Sequence, residues 1–144
     1  MNSRNTAAAV AVRTPAEARS SVRRAVSWTS PEVDDLLLVT SELVTNAVRH
    51  GGGVTGFALD VGRGSVTVAV SDASRRPPRR REDGGFDRGP GGYGWPIVLR
   101  LAREVSVEVG PRGKTVRAVV ALERGAATVT GAVAGAGPGG GAAG

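Results

Sequence analysis

Cysteine is absent from the 144 residues. This removes disulfides and thiolate metal sites and gives no reason to place the chain in an oxidising compartment. The single histidine, His50, rules out a histidine-rich metal cluster. Aromatic residues make up 3% of the chain, so the core has to be built mainly from Val, Leu and Ala. No apolar run approaches the roughly 20 residues that span a bilayer. The apolar stretch nearest the N-terminus, Ala7 to Val12, is too short for a secretory signal. A cytoplasmic location without a membrane partner is therefore expected. Lysine is almost missing as well: Lys114 is the only one, the remaining basic residues are arginine, and the net charge is +6.

What is present is organised around Pro31 to Gly53, PEVDDLLLVTSELVTNAVRHGGG. Ser30 is placed as an N-cap with Pro31 at the first helical position. Glu32, Asp34 and Asp35 fill the first turn, and Arg49 and His50 the last, as the helix dipole favours. Gly51-Gly52-Gly53 supplies a terminator. Val33, Leu36, Leu37, Thr40, Leu43, Val44, Ala47 and Val48 form a wide apolar stripe at helical spacing. Glu42 and Asn46, four residues apart, stack on one face beside that stripe. A carboxylate and a carboxamide one turn apart could activate a hydroxyl and hold a hard metal ion.

Around this helix the chain reads as a small α+β unit. Ala7–Val12 is expected as a short strand, and Thr14-Pro15 with Glu17 opens a helix to about Trp28. Val54–Val61 and Ser65–Ser71 alternate at period two and are joined by Gly62-Arg63-Gly64, a hairpin signal. Residues 73–92 are rich in Pro, Gly and Arg, and their length without apolar periodicity suggests a lid or a disordered insertion. Pro96–Arg103 reads as a short helix, and Glu104–Val109 and Lys114–Leu122 as two further strands. Residues 1–6 and the Gly/Ala-rich residues 125–144 are expected to be disordered. That leaves a domain at 7–124, with a mixed, mostly antiparallel sheet and helices on one face, a two-layer sandwich.

The motifs fall in a recognisable order. Ser41-Glu42-Leu43-Val44-Thr45-Asn46-Ala47-Val48-Arg49-His50-Gly51 is followed by Asp72 at a strand end. Gly89-Pro90-Gly91-Gly92-Tyr93-Gly94 then leads into a helix, and Gly113-Lys114-Thr115 starts a late strand. Over residues 7–122 this resembles the GHKL ATP-binding domains, the gyrase, Hsp90, histidine kinase and MutL superfamily with the Bergerat fold. Within them it is most similar to the anti-sigma-factor serine kinases of actinobacterial type. The resemblance implies ATP and Mg²⁺ as cofactors. Asn46 would be the metal ligand, Glu42 the catalytic base, and Asp72 the acceptor for the adenine amino group. Gly92, Gly94 and His50 would lie near the phosphates and Thr115 near Asp72. It also implies a sigma factor and an anti-sigma antagonist as partners, with a homodimer as a further option. Two places depart from the family pattern: Asp72-Ala73-Ser74 replaces Asp-x-Gly, and Gly92-Tyr93-Gly94-Trp95-Pro96 lacks the usual basic residue and Leu.

Two other readings compete. A regulatory module that binds ATP or a partner without phosphoryl transfer is suggested by the altered second glycine box. A nucleic-acid binder is suggested by the net charge, but the arginines are concentrated in residues 73–92 and no reader helix accompanies them, so this is the weakest of the three.

Overall fold

In a computed structural model of the chain, residues 11–78 and 94–123 are described. The expected strand at Ala7–Val12 lies largely outside these residues, as do Gly92, most of the 73–92 segment and the tail after Glu123. Ala11 and Val12 themselves carry no strand.

The elements are α1 (Pro15–Ala25), α2 (Pro31–His50), β1 (Val54–Val61), β2 (Ser65–Asp72), α3 (Gly94–Leu101), β3 (Glu104–Gly110) and β4 (Gly113–Ala121). The described strands form a single antiparallel sheet in the order β1-β2-β4-β3. α2 lies across β1, β2 and β4 and is flanked by α1 and α3. The fold is α+β, a helical layer on an antiparallel sheet. None of the described helices is long and apolar enough to cross a membrane.

Local chemistry explains the boundaries. At α1 the Thr14 hydroxyl accepts from Glu17 N–H at 3.1 Å, while Glu17 Oε1 accepts from Thr14 N–H at 3.2 Å, a reciprocal capping box. Thr14→Ala is expected to cost about 1 kcal/mol of stability, read as a lower urea midpoint with unchanged slope. α1 stops at Ala25 rather than near Trp28. Val26 turns extended and its N–H closes the last turn onto Val22. Ser27, Thr29 and Ser30 then favour the next cap over helix continuation. Ser30 caps α2 through Val33 N–H at 3.2 Å. α3 begins at Gly94, so Pro96 is its third residue rather than its first. A missing N–H costs nothing there, because first-turn amides have no intrahelical acceptor.

Strand alternation builds the core. Phe57 and Leu59 of β1, Val66, Val68 and Val70 of β2, and Val116, Ala118 and Val120 of β4 are buried. They share that core with Leu36, Val39, Leu43 and Val44 of α2 and Val22 of α1. The same period of two carries two polar residues inward. Asp72 follows Val70 and Lys114 precedes Val116, and each is only 5% exposed.

Candidate functional site

The Asp72 end is set by four close approaches. In the β2–β4 register Asp72 stands opposite Lys114 and Ser71 opposite Thr115. Lys114 Nζ donates to both Asp72 oxygens, at 3.0 Å to Oδ1 and 2.9 Å to Oδ2. Ser74 N–H donates to Oδ1 at 2.8 Å. The C-terminus of α2 presses on the same carboxylate. Gly51 O accepts from Ala73 N–H at 2.9 Å, and a Cβ on Gly51 would collide with the Asp72 side chain. Gly113, with φ of +151°, passes so close to the Asp72 carbonyl that no side chain fits.

The aspartate therefore sits where only glycine can face it from two sides. Gly51→Ala is expected to destabilise the chain by about 1–3 kcal/mol, since the ion-paired carboxylate is not a free side-chain end that can swing away. Thermal unfolding of that variant checks this.

The second part of the site lies along α2. Glu42 and Asn46 are both half-buried, one turn apart on the helix. Gly94, the first residue of α3, rests on Glu42; a Cβ there would lie 2.5 Å from Glu42 Oε1. That oxygen is buried and has no hydrogen-bond partner among the described residues. Burial raises the Glu42 pKa above the usual carboxylate range. The Asn46 carboxamide makes no hydrogen bond to the described residues. From Glu42 to Gly51 the helix rises about 13 Å at 1.5 Å per residue. Glu42 and the Gly51 contact on Asp72 are therefore separated by about that distance along α2.

The other candidates are placed as follows. His50 is the last residue of α2 and exposed, directly before the Gly51 that contacts Asp72. Gly94 is beside Glu42, while Gly92 lies outside the described residues. Thr115 is not brought onto the Asp72 carboxylate: its hydroxyl shares a 2.7 Å hydrogen bond with Ser71. Alternation sends Ser71 and Thr115 to the opposite face of the sheet from Asp72 and Lys114. The residue on the carboxylate is Lys114, to which the motifs alone assign no role. Its signal was its place two residues before the inward-facing Val116.

The donor set suits a nucleotide-bound cation better than a caged one. Among the described residues no group of three or more His, Asp or Glu could hold a metal ion. Mg²⁺ typically takes one or two protein oxygens and completes its shell with phosphate oxygens and water. The Asn46 carboxamide, uncommitted beside the orphaned Glu42 oxygen and the bare backbone of Gly94, fits that role.

Compared with known families, residues 5–120 match the histidine kinase-like ATPase domain. No curated protein matches the chain significantly.

Proposed function

The chain belongs to the histidine kinase-like ATPase domain family, and on that premise we propose that it is an ATP-dependent serine/threonine protein kinase of the anti-sigma-factor type. It would transfer the ATP γ-phosphate to a serine of an antagonist protein, with a sigma factor as its other partner. The observation that carries the reading is the Glu42 carboxylate: buried on one oxygen, unpartnered, raised in pKa and held at the start of α3.

Phosphoryl transfer asks a protein mainly for positioning and charge neutralisation. Asp72 accepts the exocyclic amino hydrogen of adenine and so fixes the base end. Asn46, a turn beyond Glu42, would hold Mg²⁺, which would supply neutralisation of phosphate charge. His50 and Gly94 would lie along the phosphates. Thr115 supports the base end through Ser71 and the β2–β4 pairing. The serine oxygen forms the new bond to the γ-phosphorus as the bond to the β–γ bridging oxygen breaks and ADP leaves. Glu42 takes the serine proton. Its raised pKa makes it a stronger base than an exposed carboxylate.

Transfer of label from γ-³²P-ATP to a serine-bearing protein encoded beside this chain tests the reading. Labelled phosphoserine is the expected product. Nucleotide binding with no transfer to any such protein would favour the second reading, a regulatory module that binds ATP without chemistry, to which the Trp95-Pro96 departure in the second glycine box gives support. Asn46→Ala is expected to remove the Mg²⁺-dependent part of nucleotide affinity, measured by titrating ATP with Mg²⁺ and with EDTA.

A further inference from the structure

We infer that Lys114 is a specificity-determining residue of the base subsite, which donates a hydrogen bond to the ring nitrogen N1 of adenine while Asp72 accepts from the amino group beside it. This rests on the reading of Asp72 as the adenine-binding end of the site.

The hydrogen-bond inventory of the pair leads there. An ammonium has three donors; two of those on Lys114 go to Asp72 Oδ1 and Oδ2, and the third has no acceptor among the described residues. A carboxylate offers about four acceptor positions; on Asp72, Oδ1 takes Lys114 and Ser74, whereas Oδ2 takes Lys114 alone. One donor and one acceptor therefore remain unused on atoms 2.9 Å apart, on side chains that are almost wholly buried. The edge of adenine presents the complement, an amino donor next to a ring-nitrogen acceptor.

Stability does not account for the pair. A buried ion pair generally gains little over apolar residues of the same volume, and the apolar alternation of β2 and β4 would continue smoothly through both positions. Nor is Lys114 free to serve as a solvated surface charge. Gly113 is locked against the Asp72 carbonyl and Gly51 against the carboxylate, so the two groups are held in one orientation. A fixed donor–acceptor pair of this kind reads chemistry rather than charge, because removal of either complementary atom from the ligand leaves a buried group unpaired.

The test uses the full chain with Mg²⁺ and three nucleotides, measured by calorimetry: ATP, 1-deaza-ATP (ring N1 replaced by C–H) and 7-deaza-ATP. ATP and 7-deaza-ATP are expected to bind alike and 1-deaza-ATP about tenfold or more weakly, the size of a lost hydrogen bond to a charged group. In Lys114→Met the difference between ATP and 1-deaza-ATP is expected to vanish. Equal binding of ATP and 1-deaza-ATP by the unmodified chain overturns the inference. So does a penalty that persists in Lys114→Met, which would assign the N1 contact to another group.

Because Lys114 is the only lysine, ¹⁵Nζ-lysine labelling gives a single side-chain resonance and a readout that needs no variant. That resonance is expected to move at saturating ATP and to stay near its free position at saturating 1-deaza-ATP; equal movement with both overturns the inference. Failure of all three nucleotides to bind is a different result. It contradicts the nucleotide-binding reading itself and takes this inference with it.

Discussion

Glu42→Gln is expected to lower phosphoryl transfer by about 10²–10⁴-fold, the usual contribution of a positioned general base, while Mg²⁺-ATP binding is retained. The separation follows from the geometry. Glu42 lies beside Gly94, and the proposed base-binding end at Asp72 is met by Gly51, about 13 Å further along α2. Gln keeps the shape that fits against Gly94 and loses only the ability to take a proton. Single-turnover transfer rates and calorimetric affinities, measured on the same preparation, check both halves.

The same substitution has a predicted effect on stability, with the sign set by the raised pKa. A carboxyl whose folded-state pKa lies above its unfolded value favours folding in acid, where it holds its proton. That contribution is lost as pH rises through the folded pKa. Above the folded-state pKa the ionised, partly desolvated Glu42 is therefore a net cost. Above that pKa Glu42→Gln should unfold at higher temperature than the parent, and the difference should shrink as the pH falls through the folded-state pKa toward the ordinary carboxylate range. Activity runs the other way: the transfer rate rises with pH as Glu42 ionises, with its midpoint above the range of an exposed glutamate.

Lys114→Met is expected to lower stability by about 3–5 kcal/mol, because the variant leaves Asp72 buried with its charge uncompensated. The environment allows no escape. The carboxylate is walled by Gly51 and its own backbone by Gly113, and solvent reaches only 5% of either partner. Adding Asp72→Asn to Lys114→Met removes the unpaired charge and should recover most of the loss. Urea unfolding of the parent, the single variant and the double variant measures the coupling. By contrast, the exposed Arg117–Glu108 pair, at 2.9 Å on β4 and β3, should be worth little when broken, since exposed pairs contribute about 0–1 kcal/mol.

Much of this arrangement could be read in the sequence, because most of it obeys local rules. The capping residues Thr14 and Ser30, the apolar stripe of α2 and the alternation of β1 to β4 act over a few residues each, and they place Glu42 and Asn46 on one helical face. The ends were harder. α1 stops at Ala25 and α3 starts at Gly94 for reasons that lie in the next element. The family resemblance places Thr115 near Asp72, whereas strand alternation, counted back from the inward Val116, puts Lys114 on the Asp72 face and Thr115 on the other. Setting Lys114 opposite Asp72 needed the β2–β4 register, which pairs these residues 42 apart and leaves no local signal. Gly51 and Gly113 as close-approach positions were equally hidden, since what they make room for is Asp72, distant along the chain.

Everything proposed for the site depends on nucleotide entering between Asp72 and Glu42. Calorimetric titration of the unmodified chain with ATP, in Mg²⁺ and in EDTA, tests that most directly. The account predicts saturable one-to-one binding that is strengthened by Mg²⁺ and reduced in Asn46→Ala. A folded chain that shows no heat of binding to ATP in Mg²⁺, at concentrations where ATPase domains are saturated, would contradict it.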